Sequence, residues 1–192
     1  MTSTKPINVK EMNFDQLFTQ ISPEEMCNSN NVLTLAGKDF YVITAGKKDQ
    51  YNSMTASGGG IGLLFKKPTT WCLLRADRYT LELIQKEQTY TLSYFPDEYK
   101  EQLFFLGSRS GRESDKMKKV ELTSVQTPSG ELTYKEARII LECKLTQITT
   151  PQPADFYSQE AKDWIKETYK AASNYRCYVF GEITRVWRKI KK

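Results

Sequence analysis

The sequence predicts a mainly β protein, a small barrel of antiparallel strands with helices at its periphery. Runs rich in β-branched and aromatic residues dominate the chain, and turn-forming residues separate them. Segments with helical spacing are fewer and shorter. Several antiparallel-type strands with scattered helices are typical of a small barrel with helical decoration.

Three strand-forming segments lie in the first half of the chain. Residues 33–47, LTLAGKDFYVITAGK, predict a hairpin that turns around residues 37–39. WCLLR at 71–75 and TYTLSYF at 89–95 are rich in residues that favour strands. We expect these segments to form the first strands of the barrel.

The second half adds a turn-rich surface hairpin and two longer strands. A proline and a Ser-Gly pair place a turn inside residues 123–134. Between residues 137 and 145, apolar side chains alternate with mostly polar ones, as in a half-buried strand. In CYVFGEITRVW, residues 177–187, Gly181 predicts a bulge or bend of the kind that lets a barrel close.

Three helices are predicted from capping residues and apolar spacing. TLELIQ, residues 80–85, is expected to open at Thr80. A second helix follows Pro96, with Asp97 as its cap and Gly107 as its stop. A third follows Ser158 and places its apolar residues at helical spacing, namely Ala161, Trp164, Ile165, Tyr169 and Ala172.

Composition favours a single globular domain over residues 1–192. Of the 192 residues, 39% are apolar and 12% aromatic, which is enough to build a core. The net charge of +5 combines 28 basic with 23 acidic residues and only weakly favours an anionic partner. No stretch approaches the ~20 apolar residues that span a bilayer, and the amino terminus lacks a secretory apolar core. We expect a cytoplasmic protein that engages no membrane.

The cysteines and the absence of histidine exclude several kinds of site. Four cysteines, at positions 27, 72, 143 and 177, lie far apart without metal-ligand spacing, so we expect free thiols and no metal. No histidine occurs in the chain. This excludes Ser-His-Asp and Cys-His nucleophiles, HExxH zinc sites and histidine acid-base chemistry. An enzyme of this composition needs carboxylates, Lys, Tyr, Cys or a cofactor.

NSMTASGGG, residues 52–60, is built mainly from small polar residues and a glycine triplet, just before the apolar run IGLLF. Such side chains are too small to fill a core. The stretch is either a surface loop without a further role, or a segment kept small so that a ligand can lie against its backbone. For the triplet itself, the alternative is that it eases a sharply twisted strand.

RADRYT, residues 75–80, predicts an anion pocket. Arg75 ends an apolar strand, Arg78 follows in the connection, and Thr80 stands where a helix should begin. Guanidinium groups, a hydroxyl and free helix N–H groups together suit a phosphate. The alternative is that Arg78 pairs with Asp77 or Glu82 and Thr80 only caps the helix.

The two stretches belong to an ordered pattern: YNSMTAS, a strand ending in RADRYTLELI, then QTYTLSYF, SGRESDK (110–116) and YVFGEI (178–183). This pattern resembles the flavin reductase-like family, the flavoredoxin branch of the FMN-binding split barrels. The resemblance covers about residues 30–190. It implies a Greek-key-like antiparallel split β-barrel with peripheral helices and FMN as cofactor.

The resemblance also implies cofactor-binding residues. Small side chains in the strand beside the flavin would let backbone N–H groups reach the polar edge of the ring; these are Ser53, Thr55, Ala56 and Ser57. Asn52, Met54 and Thr55 match positions that contact the ring and the ribityl chain. Arg78 and Thr80 match the phosphate-binding positions, while Arg75 and Lys116 are further candidates. No catalytic side chain is assigned.

Two positions depart from the family pattern. Ala76 stands between the two arginines where the family commonly has proline, which leaves cofactor binding unaffected. Arg176 stands before the closing strand where the family commonly has histidine. This second departure changes the lining of the substrate face of the flavin, and therefore bears on the electron donor and acceptor.

The predicted function is an FMN-binding oxidoreductase of the NAD(P)H:flavin reductase or flavoredoxin type. Electrons would come from NAD(P)H or a redox protein and pass to a flavin, a redox protein or a small acceptor. The resemblance also implies a homodimer, for which aromatic residues such as Tyr90, Tyr94, Phe104 and Phe105 would supply apolar surface.

Two other functions remain open on the sequence. The first is a non-catalytic module that binds FMN or another phosphorylated ligand for storage or sensing. The second is a nucleic-acid-binding barrel, suggested by the basic runs at 110–119 and 185–192. Both basic runs fit a solvated surface better, because the first has mixed charges and the second continues a strand. We therefore expect no nucleic-acid partner.

Overall fold

The computed structural model describes residues 9–35, 39–112, 116–169 and 175–191. Its strands are β1 (Phe18–Ile21), β2 (Tyr41–Lys47), β3 (Gln50–Ala56), β4 (Gly59–Leu64), β5 (Lys67–Arg75), β6 (Thr89–Tyr94), β7 (Ser124–Gln126), β8 (Leu132–Tyr134), β9 (Ile139–Thr149) and β10 (Arg176–Lys189). Its helices are α1 (Phe14–Leu17), α2 (Pro23–Ser29), α3 (Tyr79–Glu87), α4 (Lys100–Ser108), α5 (Lys116–Lys119) and α6 (Gln159–Tyr169), with short 3₁₀ turns at Val9–Glu11, Asp97–Tyr99 and Pro153–Asp155.

The centre of the fold is one antiparallel sheet of eight strands. Seven of them lie in the order β3-β2-β6-β9-β10-β5-β4, while β1 pairs with the far end of β10. The two edge strands, β3 and β4, are joined by residues 57–58 alone. Ala56 and Gly59 are three Cα steps apart, roughly 11 Å at most. The sheet must therefore curl until its edges approach each other, which gives a barrel that is open between β3 and β4.

Most of the predicted strands are confirmed. Residues 71–75 lie in β5, residues 89–94 form β6, and the segment 123–134 contains the β7–β8 hairpin. β9 and β10 confirm the two longer predictions: β9 begins at Ile139 and runs past the predicted end to Thr149, and β10 is longer than predicted at both ends. The pairing of β10 with β9 shifts register between Phe180 and Gly181, so the predicted bulge is present.

The predicted hairpin over residues 33–47 is wrong. Its second half is β2, but residues 32–35 are helical, and Gly37 and Lys38 in the expected turn lie outside the described residues. β2 instead pairs with β3, with Tyr41 opposite Ala56 and Lys47 opposite Gln50. The strand that completes the hairpin with β2 therefore follows β2 in the chain and does not precede it. The chain reverses at residues 48–49.

The predicted helices are present, but their ends differ. α3 begins at Tyr79 with Arg78 at the N-cap position, so Thr80 lies inside the first turn and does not cap the helix. A 3₁₀ turn precedes α4, which continues through Gly107 to Ser108. A Cβ atom at Gly107 would lie 3.3 Å from the Thr55 Cβ atom, so the glycine allows α4 to approach β3 closely rather than ending the helix. α6 follows Ser158 as predicted, although Ala172 lies outside the described residues.

The core consists of two apolar clusters, one on each face of the sheet. The barrel interior holds side chains from β2, β5, β6, β9 and β10, together with α3. The second cluster lies between the outer face of β2 and β9 and the helices α1 and α4. All four cysteines are free, as predicted, and three of them are buried. Burial raises the pKa of the Cys72 thiol to about 12, which keeps it protonated and inert.

The glycine triplet 58–60 has a structural explanation. Gly59 has a φ of +132°, and a Cβ atom there would lie 2.1 Å from the Trp71 carbonyl oxygen. A Cβ atom at Gly60 would lie 2.0 Å from the Trp71 ring. A side chain at either position would prevent β4 from pairing closely with β5 at Trp71. This supports the interpretation that the triplet allows a twisted strand.

Gly181→Ala is expected to destabilise the protein. The added Cβ atom would lie 2.3 Å from the Tyr90 hydroxyl oxygen and 3.1 Å from the Cys143 Cβ atom. Overpacking of this kind costs about 1–3 kcal/mol. Tyr90→Phe removes the nearest atom, so the double variant should recover part of the loss. Denaturant unfolding followed by circular dichroism measures these free energies.

Gly62→Ala is the matched control, because it is a strand glycine whose added Cβ atom would meet only Trp71, at 3.9 Å. Its free energy of unfolding should stay nearly unchanged. If Gly181→Ala costs no more than Gly62→Ala, the barrel accommodates a side chain at the bulge and the steric argument is wrong.

Candidate functional site

A cavity of about 520 Å³ opens beside the edge strand β3, between the end of β5, the start of β10 and α4. We call it the ring cavity. Its walls are largely apolar on the α4 side and basic at the strand ends. It is lined by Phe40, Met54, Thr55, Ala56, Ser57, Leu73, Arg75, Arg78, Lys100, Leu103, Phe104, Gly107, Ser108 and Arg176.

A second, smaller cavity of about 270 Å³ adjoins the first. We call it the polar cavity. The two share Met54, Arg78 and Gly107, so they form one continuous groove with an apolar end and a basic end. The polar cavity is also lined by Asn52, Asp77, Tyr79, Thr80, Leu106, Arg109, Ser110, Gly111, Arg112 and Lys116.

β3 is suited to hold a planar ligand through its backbone. Within the described residues it pairs with β2 on one side only, so alternate backbone N–H and C=O groups on its other side are free of the ladder. Ala56 and Ser57, at the end of the strand, line the ring cavity and leave its backbone accessible. Thr55 reaches the opposite wall, where its hydroxyl donates to the Leu103 carbonyl oxygen of α4.

The structure brings nine of the ten residues predicted to bind a cofactor to this groove. The ring cavity is lined by Met54, Thr55, Ala56, Ser57, Arg75 and Arg78, and the polar cavity by Asn52, Met54, Arg78, Thr80 and Lys116. The exception is Ser53, which is fully buried and lines neither cavity. Its hydroxyl forms 2.7 Å hydrogen bonds with the Thr44 and Tyr134 hydroxyls, so only its backbone is left for a ligand.

Asn52 presents an unused acceptor in the polar cavity. Its Nδ2 donates to Thr80 Oγ1 at 2.7 Å, while its Oδ1 is buried and has no hydrogen-bond partner. Gly111 lies directly against it, since a Cβ atom there would fall 2.1 Å from Oδ1. A buried acceptor without a partner costs about 1–3 kcal/mol, which a ligand hydroxyl would recover. The Thr80 hydroxyl accepts from Asn52 and keeps its own hydrogen for an anion.

Arg78 is free to bind an anion. The alternative in which it pairs with Asp77 or Glu82 is wrong: the Asp77 carboxylate binds Arg75, with Nε–Oδ1 at 3.1 Å, and Glu82 binds Arg112. Among the described residues, no hydrogen-bond or ion-pair partner contacts the Arg78 guanidinium. As the N-cap residue of α3, it also lies at the positive end of the helix dipole.

Lys116 is a buried cation at the floor of the polar cavity. Its Nζ donates to the Leu106 and Arg109 carbonyl oxygens, both at 2.9 Å, so it caps the end of α4. Burial, and then the charge of Arg78, lower the pKa of Lys116 to about 8. Two neighbouring cations in one cavity favour an anion, whose binding raises that pKa again.

Three residues that line the groove were not predicted from the sequence as parts of the site: one precedes β2, one lies in α4 and one follows α4. Phe40 and Phe104 line the ring cavity while 54% and 77% exposed, and Arg112 closes the polar cavity. Arg112 Nη1 donates to the Asp77 carbonyl oxygen at 2.8 Å, and its guanidinium lies 5.4 Å from the centre of the Tyr79 ring. The SGRESDK pattern marked this segment, but the pattern alone does not show which of its residues turns inward.

The described residues contain no cluster that could hold a metal ion. Within that part of the chain, no helix is long and apolar enough to cross a membrane. The tyrosines that face the barrel interior are poor acids, because burial raises the pKa of Tyr41 and Tyr94 well above the usual range. Neither of these tyrosines lines the groove.

The chain belongs to the flavin reductase family: a model described as "Flavin reductase like domain" matches residues 37–188. This confirms the predicted family, and with it the split-barrel fold. No curated protein matches the chain.

Solved structures share this fold at low sequence identity. An FMN-binding domain of a flavin reductase-like enzyme from Shewanella baltica is 15% identical with a TM-score of 0.64, covering 89% of this chain and 76% of its own. A Thermus thermophilus FMN-binding protein, with p-hydroxybenzaldehyde bound, is 20% identical with a TM-score of 0.60, covering 78% and 71%. Flavoredoxin from Methanosarcina acetivorans is 16% identical with a TM-score of 0.58, covering 83% and 72%. FMN is thus the flavin named for the first two neighbours, in agreement with the predicted cofactor.

The groove fits FMN by its own chemistry. A phosphate suits the polar cavity, where Arg78, Thr80 and Lys116 converge. A ribityl hydroxyl would satisfy the orphaned Asn52 Oδ1, and the absence of a side chain at Gly111 lets that segment lie directly against the Asn52 amide. The apolar walls and the free edge of β3 suit a flat ring with polar edges.

Proposed function

We propose that the protein is an FMN-dependent oxidoreductase of the flavin reductase or flavoredoxin type. It would take electrons from NAD(P)H or a redox protein and give them to a flavin, a redox protein or a small acceptor. The observation that carries the proposal is the continuous groove with an unpaired Arg78 and an orphaned Asn52 Oδ1 at its basic end. Membership of the flavin reductase family supports it.

The polar cavity would hold the phosphate. Arg78 would donate charge-assisted hydrogen bonds, Thr80 would donate its hydroxyl hydrogen, and Lys116 would add a second charge. Asn52 is oriented for the ribityl chain, because its bond to Thr80 fixes the amide. These contacts would bind the cofactor without covalent attachment.

The ring cavity would hold the flavin ring along β3. Met54, Ala56 and Ser57 would lie beside it, and Thr55, held by Leu103, would keep α4 at a fixed distance from the strand. Bound FMN supplies the hydride and single-electron chemistry, so the residues of the groove need to position it and limit access to its face. This division of roles is compatible with a chain that has no histidine.

The electron donor would bind transiently over the groove. The sequence has no GxGxxG pattern for a stable dinucleotide domain. A neighbour of 14% identity is an NADH:FAD oxidoreductase from Streptomyces globisporus, with a TM-score of 0.55 over 78% of this chain and 75% of its own. We place the protein in the cytoplasm, a location that its four free cysteines support.

We further propose a homodimer that shares its two flavin sites. Phe40 and Phe104 are large, exposed and adjacent to the ring cavity, so a second chain could cover them and complete the site. Tyr90 and Tyr94, which the sequence offered as interface residues, are instead buried in the barrel. The exposed aromatic surface of the groove therefore comes from α4 and the residue before β2.

Purified protein should be yellow or should take up FMN, and the released cofactor should be identified chromatographically as FMN. On mixing with NADH or NADPH, the bound flavin should lose its visible absorbance, because an oxidoreductase accepts electrons whereas a storage module does not. Absorbance spectra before and after mixing make the measurement. A colourless protein that fails to take up FMN would rule out the proposed function.

Arg78→Ala tests the phosphate contact in the same assay. The variant should lose about 1.5–3 kcal/mol of FMN binding, the range for a hydrogen bond to a charged group. Riboflavin, which lacks the phosphate, should bind both forms almost equally. Equal losses for FMN and riboflavin would mean that the substitution damaged the fold rather than the phosphate site.

FMN affinity should fall as the pH rises above about 8. Below that pH the free protein already carries protonated Lys116, so binding needs no further proton. Above it the free protein has lost the proton and the phosphate must restore it, which costs up to about tenfold in affinity per pH unit. Fluorescence titrations between about pH 7 and pH 9.5 measure this, because the phosphate is a dianion throughout.

Riboflavin and the Lys116→Met variant are the controls for the pH series. Neither should show the decline, since one lacks the phosphate and the other lacks the titrating amine. An FMN decline of the same size in Lys116→Met would assign the pH effect to a different group.

Dilution that splits the dimer should release FMN, and added FMN should raise the apparent dimer affinity by the same linkage. Light scattering across a dilution series, with and without FMN, measures both. Phe104→Glu should weaken dimer and flavin binding together, whereas Tyr157→Glu, at a side chain 92% exposed and outside the groove, should change neither. A monomer that keeps FMN at every concentration would refute the shared site while leaving flavin chemistry intact.

A further inference from the structure

We propose that Arg176 selects redox partners that carry an oxyanion, either a carboxylate or a phosphate. In such a partner the oxyanion lies next to the part that stacks over the flavin. This inference rests on the proposed function, because it concerns the second ligand of the same groove. It assigns a specificity to the face of the ring cavity where β10 begins.

Arg176 lies at the mouth of the ring cavity because of strand register. It is the first residue of β10 and stands directly opposite Arg75, the last residue of β5. Residues opposite each other in an antiparallel pair project to the same face of the sheet. Both guanidinium groups therefore line the ring cavity.

Two of the other three cations of the ring cavity are paired with carboxylates, and the third belongs to the phosphate site. Four basic side chains line it, Arg75, Arg78, Lys100 and Arg176, and no acidic residue does. Asp77 neutralises Arg75, and Asp97 lies 3.2 Å from Lys100. Arg78 also lines the polar cavity, where the cofactor phosphate would neutralise its charge.

Arg176 is left as an uncompensated charge. Within the described parts of the chain, no carboxylate pairs with its guanidinium. Like charges directly opposite in a sheet destabilise each other, and Asp77 relieves only the Arg75 half of this pair. An oxyanion in the cavity would compensate the charge that remains on Arg176. The planar guanidinium suits a carboxylate or phosphate, because it can donate two parallel hydrogen bonds.

An aromatic support holds Arg176 in place. Its guanidinium lies 6.0 Å from the centre of the Tyr169 ring, at the end of α6. Tyr169 in turn packs against Tyr175 at 5.7 Å and against Trp164 at 5.9 Å between ring centres. A guanidinium that rests on a supported ring loses less conformational entropy when it binds a ligand.

The test measures binding to FMN-loaded protein with two matched ligand pairs. p-Hydroxybenzoate and p-hydroxybenzaldehyde differ by a carboxylate, and NADP⁺ and NAD⁺ differ by a phosphate. Neither oxidised dinucleotide reduces the flavin, so difference absorbance of the bound flavin and calorimetry report binding alone. We expect the member of at least one pair that carries the additional anionic group to bind about tenfold more tightly, as for a charge-assisted contact.

Arg176→Gln should abolish that preference, and Arg176→Lys should keep part of it. Lys100→Gln is the matched control, a paired cation in the same cavity, and should keep the preference. Selectivity in the benzoate pair alone assigns a carboxylate-bearing acceptor, and selectivity in the dinucleotide pair assigns a phosphate of the donor.

The inference is overturned if neither pair shows a preference, or if Arg176→Gln leaves the preference unchanged. Flavin absorbance of each variant separates this result from failure of the proposed function. Unsubstituted protein that holds FMN but shows no anion preference, or an Arg176→Gln variant that holds FMN and keeps the preference, contradicts the role of Arg176 only. Protein that never holds FMN contradicts the proposed function.

Discussion

The rest of the structure depends on the link of residues 57–58 between the edge strands β3 and β4. Because so short a link joins opposite ends of the sheet order, the sheet has to curl on itself and cannot lie open. The Tyr41 hydroxyl, buried in the barrel, donates to the Gly58 carbonyl oxygen at 2.6 Å and fixes the link to β2. The two edges approach without pairing, and the groove lies beside β3, against α4 and the adjoining ends of β5 and β10.

The same constraint explains the chemistry of the groove. An unpaired strand edge exposes backbone donors and acceptors, which can pair with the strand of another chain. Here α4 lies beside the free edge of β3, and the cavity between them leaves those groups accessible to a ligand. The curl of the sheet also places the end of β5 and the start of α3 at the basic end of the groove. There Arg78 and Thr80 lie beside Asn52 of β3. Lys116 then supplies its charge from a fully separate segment, and its bonds to the Leu106 and Arg109 carbonyls tie the end of α4 to the same place.

Local sequence predicted the strands well, because the strand-favouring composition of β5 and β6 and the alternation within β9 are properties of neighbouring residues. Local sequence did not predict which strand pairs with β2 or which group binds the Thr80 hydroxyl. The segment before β2 has strand-forming residues, yet β3 supplies the hairpin partner and residues 32–35 are helical. Thr80 has the chemistry of a cap, but Asn52 binds its hydroxyl while Arg78 takes the N-cap position. In each case a long-range contact outweighed a local preference.

The sequence by itself determined the kind of chemistry: no histidine, small side chains at 53 and 55–57, and the ordered patterns of a flavin reductase-like chain. Those are properties of single residues and of short stretches. Only the tertiary structure decided which predicted residues share a groove, that Ser53 does not line it, and that Gly111 lies against Asn52. It also set Arg176 opposite Arg75, with Asp77 neutralising one of the two. Such pairs are distant along the chain, and the physical reason they meet is the register and curl of the whole sheet.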